Sequence, residues 1–399
     1  MAEAAMTTRT RFAVLLISTP MLAFVLLGGL HGRASSTGDD TFQHLRVFED
    51  VVSLILNNYV EEVKVDHVMD GAMRGLADGL DPDSAYLTPQ QVKAIESGEA
   101  LPAGDVGVEM TRQYYLRVIA TRDSSPAAKA ELQTGDYIRA IDGKPTRDMS
   151  VFEGMRLLRG APGSRVTLTV IRGNAADPKQ VDLVREKAPA AVVTGRMLPP
   201  DIGYVRVGSF GSDVTERLRA EAAQLSKAGA RYLIVDLRRT AEGPIENGVE
   251  AARLFVPSGT LAVKAGRDKD QTGRETISTR SGDGSISLPV TILSTTGTSG
   301  AAELFTAALK GNKRADLVGE RTLGRAGVQK LVRLPDGRGL WLTYARYLTP
   351  AGDPIQGKGI SPDLEVDEPE AADFVPTTAP PKDVVLDAAI DRIRGKRAA

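Results

Sequence analysis

The sequence contains no cysteine, which excludes disulfides, thiolate metal sites and cysteine nucleophiles. Histidine is nearly as scarce. His31, His44 and His67 are the only three, so everything after Val68 can hold neither a Ser-His-Asp triad nor a histidine-rich metal centre. No metal and no cofactor is implied. Neither sign of charge dominates: Lys+Arg number 50 against Asp+Glu 51, a net charge of −1. That excludes the basic field of a nucleic-acid binder and the acidic excess of a disordered chain. Tryptophan occurs once, as Trp341, read as a core residue rather than a ligand platform. What remains is globular material, 399 residues at 42% hydrophobic and 25% charged, enough for two or three domains with cores of their own.

One long apolar run stands out. Arg9 and Arg11 precede FAVLLISTPMLAFVLLGGL, Phe12 to Leu30, the pattern of an export signal, either cleavable or retained as an anchor. The small residues Gly32 to Ala34 enclose Arg33, a poor cleavage site, which favours the anchor. Residues 1–34 are therefore expected to tether an exported chain to the inner membrane, with the rest in the cell envelope or periplasm. From Thr41 to Leu80 apolar residues recur at helical spacing (Leu45, Phe48, Val52, Ile55, Leu56, then Val68, Met73, Leu76, Leu80). This predicts two or three amphipathic helices in a module over 35–90. It ends at the turn-rich string Leu80-Asp81-Pro82-Asp83-Ser84-Ala85-Tyr86-Leu87-Thr88, which resembles the element preceding the PDZ domain in carboxyl-terminal processing peptidases.

Between Gly104 and Arg185 short β-like runs (Val106 to Met110, Tyr115 to Ala120, Tyr137 to Ile141, Val166 to Ile171) alternate with helical pieces at Ala127 to Glu131 and Ser150 to Leu158. The order suits a PDZ domain over 100–187. The strings Ser125-Pro126-Ala127-Ala128-Lys129-Ala130, Gly135-Asp136-Tyr137-Ile138, Ile141-Asp142-Gly143 and Leu158-Arg159-Gly160 resemble that family's PDZ domain. Such a domain adds a C-terminal peptide as a β-strand and caps its carboxylate with backbone N–H groups. The resemblance puts that peptide site at Gly104, Asp105, Val106, Gly107 and Val108. Asp105 stands where the family has a second glycine. Two readings stay open: its charge weakens carboxylate binding, or it points into water.

From Gly203 the pattern turns α/β: a strand from Tyr204 to Phe210, a helix from Val214 to Ala228, a buried strand from Tyr232 to Arg238, a helix from Ile245 to Phe255, then strands at Pro289 to Ser294, Ala315 to Val318, Val328 to Leu334 and Gly339 to Tyr347. A largely parallel sheet flanked by helices is expected over 188–372. Pro376 to Lys382 reads as a linker and Val384 to Arg394 as a short helix, within 373–399. The fold class is thus multidomain α/β, with an N-terminal helical module, a PDZ domain and a C-terminal peptidase-like core.

The strings Pro335-Asp336-Gly337, Ala345-Arg346-Tyr347-Leu348-Thr349-Pro350 and Gly357-Lys358-Gly359-Ile360-Ser361-Pro362-Asp363 extend the resemblance to the rest of the chain. It implies a serine endopeptidase that cuts near protein C-termini, with a Ser nucleophile at a helix start, a Lys base and a Gln that orients the Lys. Anchored on Glu303 and on Lys313-Arg314 through Gly319-Glu320, the pattern puts the nucleophile at Gly300 and the base at Arg325, with Gln329 in place. Glycine has no side chain to attack a carbonyl. Arginine keeps its proton in a protein and cannot serve as a base. The oxyanion loop departs too: Glu242 stands where the pattern has a glycine, beside Gly243 and across from Ala301, and a carboxylate there opposes a developing oxyanion.

Ser299 is the alternative nucleophile. One helical residue displaces it by about 100° and about 1.5 Å, so Ser299 and Thr298 read first as helix caps. Glu242 and Arg325 are expected to pair across the old cleft. The leading reading is a pseudoprotease whose PDZ domain and groove hold C-terminal tails of envelope proteins. The rival is a working endopeptidase using Ser299 with another lysine such as Lys358. A homo-oligomer, or assembly with an active relative, fits the first reading without a sequence signal of its own.

Overall fold

The computed structural model describes residues 36–173, 177–187, 193–267, 273–368 and 382–398. The apolar run from Phe12 to Leu30 and the linker before Lys382 lie outside them. Among the described residues no helix is long and apolar enough to cross a membrane. The chain divides into two compact units, Met1–Met73 and Arg74–Ala399. In the first, α1 (Ser36–Asn58) and the start of α2 (Val65–Asp78) follow the helical spacing. Phe48, Val52 and Leu56 of α1 are half-buried, whereas Phe42, Leu45 and Leu54 are exposed.

The second unit opens with the Asp-Pro-x-Ser turn. Asp81 Oδ1 accepts the backbone N–H of Asp83 at 2.9 Å and of Ser84 at 2.8 Å, an Asx-type turn that stops the helix and aims the chain into β1 (Ala85–Leu87). Thr88 then caps α3 (Pro89–Glu96) through a capping box with Gln91.

The PDZ domain follows as β2 (Gly104–Asp105), β3 (Val108–Gln113), β4 (Tyr115–Thr121), α4 (Pro126–Lys129), β5 (Tyr137–Ile141), β6 (Lys144–Pro145), α5 (Val151–Leu158), β7 (Arg165–Ile171), β8 (Lys179–Val184) and β9 (Glu186–Lys187). The order β3-β4-β5-β7-β8 is antiparallel throughout. Alternation sends Val166, Leu168 and Val170 inward with Val181 and Leu183, the period of two that a half-buried sheet requires. Both helices are started by serine: Ser125 accepts from Ala128 N–H and Ser150 from Glu153 N–H, each at 3.1 Å.

The core contains β10 (Val193–Leu198), β11 (Ile202–Val207), α6 (Val214–Lys227), β12 (Tyr232–Asp236), α7 (Ile245–Ala252), β13 (Thr260–Gly266), β14 (Arg274–Ser278), β15 (Val290–Ser294), α8 (Ala301–Gly311), β16 (Ala315–Gly319), β17 (Gly327–Arg333), β18 (Gly339–Leu348), β19 (Leu364–Glu365) and α9 (Val384–Ala398). The main sheet runs β10-β11-β12-β15-β16-β19, parallel except for β10 against β11. Alternate residues feed opposite faces. Leu233, Val235, Ile292 and Leu317 pack with the side chains of α6, α7 and α8, while Ile234, Leu293 and Val318 pack under Val385, Ala389 and Ile393 of α9.

Buried charge fixes α9 there. Arg238 donates to Asp236 Oδ2 at 2.7 Å and to Asp383 at 2.8 and 2.9 Å. Burial works against the Asp236 anion, but Arg238 outweighs it and holds the carboxyl below its ordinary value. The second core sheet, β1-β18-β13-β14 with β17 on β18, takes β1 from the Asp-Pro-x-Ser element. Trp341 on β18 is half-buried among Ala85, Leu87 and Val92, its ring 5.9 Å from that of Phe152 of the PDZ domain. The expected core position for Trp341 is therefore a contact layer between domains.

Candidate active site and peptide groove

The parallel strands β12 and β15 end side by side, and the loops leaving them, Leu237–Pro244 and Thr295–Gly300, lie in contact. Ser299 N–H donates to Thr240 carbonyl at 3.0 Å, and Thr298 Oγ1 donates to Leu237 carbonyl at 2.8 Å. Gly300 is the N-cap of α8, with φ 63° and ψ −121°. An L side chain rarely adopts that backbone. A Cβ at Gly300 would nevertheless have room, its only neighbour being Ala241 carbonyl oxygen at 3.8 Å. Residue 300 thus sits at a sharp strand-to-helix elbow facing the 240–243 loop.

The capping expectation for Ser299 and Thr298 is corrected. Gly300, not Ser299, occupies the cap, and Ser299 is 1% exposed with no hydrogen-bond partner for its Oγ among the described residues. Thr298 closes the preceding turn, accepting Thr295 N–H at 3.1 Å while donating to Leu237. Ala301, also 1% exposed, opens α8 so close to α7 that a Cβ at Gly248 would lie 1.9 Å from Ala301 carbonyl oxygen.

Glu303 joins the elbow to the loop bearing Arg325. Wholly buried, its carboxylate accepts Gly300 N–H at 3.1 Å, Gly324 N–H at 2.6 Å, Arg325 N–H at 2.7 Å and the Thr322 hydroxyl. Burial pushes its carboxyl above the ordinary range against the pull of those four donors. Because Arg325 N–H is bound to Glu303, the position of residue 325 is tied to that of residue 300. The Arg325 side chain turns to the Asp-Pro-x-Ser element and the PDZ domain. Its Nε lies 2.9 Å from Asp83 and its NH1 3.8 Å from Glu109 of β3.

The expected Glu242–Arg325 pair is thereby overturned. Glu242 is paired at 3.2 Å with Arg122 of the PDZ domain, and Arg122 also holds Asp105 at 2.6 Å. Each partner of the expected pair has a nearer charge elsewhere, Glu242 from the PDZ domain and Arg325 first from the Asp-Pro-x-Ser element. The loop backbone keeps its tight form: Phe210 N–H donates to Glu242 carbonyl at 2.8 Å, and Gly243 at φ 121° leaves no room for a Cβ, which would sit 2.3 Å from Phe210 carbonyl oxygen. Gln329 donates to Thr343 Oγ1 at 3.1 Å, and Thr343 donates on to Asp81 at 3.2 Å, so it joins the hairpin to the Asp-Pro-x-Ser turn. Lys358, the rival base, is exposed.

A groove lies between β3 and α5, lined by Val106, Val108, Met155 and Leu158, and the loop from Arg239 to Glu242 faces it. Of the expected peptide-site residues, Asp105, Val106, Gly107 and Val108 line this groove. Gly104 instead exchanges backbone hydrogen bonds with Gly160, each at 3.0 Å. Asp105 does not point into water. It is 5% exposed between Arg122 and Arg159, the latter at 3.3 Å. Glu109 is half-buried, and burial first, then Glu242 and Asp105, push its carboxyl up to about 7 despite Arg325 and Arg159. Sequence reasoning missed Asp83, Glu109, Arg122 and Arg159 as site residues. Only Asp83 and Arg159 had a signal, both inside strings already singled out.

Residues 201–366 match the model for peptidase family S41, and residues 118–172 that for a PDZ domain. Over 367 residues the chain is 30% identical to the carboxyl-terminal-processing protease of Synechocystis sp., spanning 90% of this chain and 83% of that one. The chain belongs to peptidase family S41. It is also 29% identical over 335 residues to the carboxy-terminal-processing protease of Bartonella bacilliformis, spanning 83% and 76% of the two chains. The fold superposes on the photosystem II D1 C-terminal processing protease with a TM-score of 0.67 at 31% identity, over 79% of this chain and 85% of that one. The S41 core, the PDZ domain and the helical region before them are those that the sequence strings implied.

Proposed function

We propose that this S41 family member is a pseudoprotease, exported and anchored to the inner membrane by its N-terminal segment, that holds C-terminal tails of envelope proteins in its PDZ groove without cutting them. The observation that carries the reading is the pair of residues tied through Glu303: Gly300 has no nucleophilic atom at the elbow, and Arg325 is a permanent cation paired with Asp83 and Glu109. Glu242, on the loop beside Gly300, stands where the family pattern has a glycine, and its carboxylate is paired with Arg122 of the PDZ domain. The rival nucleophile has little support, since the Ser299 hydroxyl is buried with no base in hydrogen-bonding reach. The apolar groove floor and the arginines around it suit a peptide of small apolar residues ending in a carboxylate. Assembly with itself or with an active relative is compatible with this role.

The test is capture without shortening. The protein is incubated with a labelled peptide ending in small apolar residues, and the bound peptide is recovered and weighed by mass spectrometry. Full-length recovery is expected. Recovery of shortened peptide, or no capture at all, contradicts the proposal.

A further inference from the structure

We infer that Asp105 is a specificity-determining residue of the PDZ groove: its carboxylate already occupies the guanidinium groups that would draw in the terminal carboxylate of a bound chain. This rests on the proposal that the groove takes peptide tails. Asp105 Oδ1 accepts from Arg122 NH2 at 2.6 Å, and Asp105 Oδ2 lies 3.3 Å from Arg122 NH1 and from Arg159 NH1. All three side chains line the groove, and Arg122 and Asp105 are largely withdrawn from water. Charge-assisted pairs in such surroundings are strong, and a guanidinium engaged by one carboxylate has fewer donors left for a second.

The arginines around the groove already have partners: Arg122 holds Asp105 and Glu242, Arg159 lies beside Asp105, and Arg239 holds Glu368. An incoming carboxylate therefore meets guanidiniums that are already engaged and docks by exchange, taking Arg122 or Arg159 from Asp105. Arg122 also holds Glu242 of the core at 3.2 Å, so the exchange loosens one tie between the groove and the 239–243 loop. Neutralising Asp105 removes one negative charge from the groove and frees donors of the two guanidiniums turned to it. Apolar floor contacts are unchanged, so only ligands with a free carboxylate gain.

The experiment measures binding of one labelled peptide, ending in small apolar residues, as the free acid and as the C-terminal amide, by fluorescence anisotropy on the full chain. Wild type is expected to prefer the acid only weakly. Asp105→Asn is expected to raise that preference about tenfold through the acid alone. The double variant Asp105→Asn with Arg122→Gln should lose most of the gain. In wild type alone, affinity for the acid should change little between low and high salt, a measurement that does not depend on any variant folding. Both peptides binding with an unchanged ratio in Asp105→Asn overturns the inference, as does a wild type that already favours the acid tenfold or weakens steeply with salt. Failure of both peptides to bind any form overturns the groove as a peptide site, and the inference with it.

Discussion

Replacing Gly300 with alanine isolates the geometry of the elbow. The backbone there, φ 63° and ψ −121°, is open to glycine and costly for any residue with a Cβ. The added methyl meets nothing closer than Ala241 carbonyl oxygen at 3.8 Å, so no steric term adds to the backbone term. Non-glycine residues in such regions cost about 1–3 kcal/mol, and Gly300→Ala should lose that amount. Gly300→Ser should lose about the same, and it should not hydrolyse peptides, because Arg325 cannot accept the hydroxyl proton. Urea unfolding followed by Trp341 fluorescence suits the measurement. Trp341 is the only tryptophan and lies on β18, in the sheet that carries β17 after the Arg325 loop. No loss of stability would show that the elbow relaxes freely. A loss well beyond about 5 kcal/mol would mean a clash that the built Cβ does not show, and either result refutes the reasoning.

Glu303→Gln removes the charge that four donors share and turns an amide N–H₂ toward at least one of them; unfolding should come about 2–4 kcal/mol earlier, and a change below about 1 kcal/mol would contradict the role given to Glu303. Glu109 has a raised folded pKa, so its contribution to stability is complete below its ordinary value and is lost as pH rises through about 7. Relative to wild type, Glu109→Gln should therefore gain on the order of 1–3 kcal/mol between about pH 5 and pH 8; identical pH profiles would refute this. Arg238→Met strands the buried Asp236 and frees Asp383, costing about 3–5 kcal/mol. Limited proteolysis should then release α9 first, and equal protection in both proteins would contradict the clamp.

The elements legible in the sequence are those with a clean period. The runs Tyr232 to Arg238 and Pro289 to Ser294 are mostly apolar because β12 and β15 are covered on both faces, and they stand in the structure within a residue or two of their expected bounds. Strand β14 (Arg274–Ser278) carries Arg, Glu, Thr and Ser on a sheet edge, and it offered no apolar pattern to find. Within the site, Gly300 and Arg325 could be read straight from the sequence, because each is a single residue type at one position of the family pattern. The ion pairs were not. Their members come from the Asp-Pro-x-Ser turn, the PDZ domain and the core, and a pairing between Glu242 and Arg325 overlooked that Arg122, Asp83 and Glu109 fold nearer to each. The Asp105 question was likewise undecidable until Arg122 and Arg159 were seen on either side of it.

The absence of proteolysis is the central claim, and one assay addresses it most directly. Wild type and Ser299→Ala are each incubated at length with an unstructured protein ending in small apolar residues, and the products are read by intact-mass spectrometry. The account predicts an uncut substrate in both reactions. Cleavage by wild type that disappears in Ser299→Ala would show a working displaced nucleophile and contradict the account.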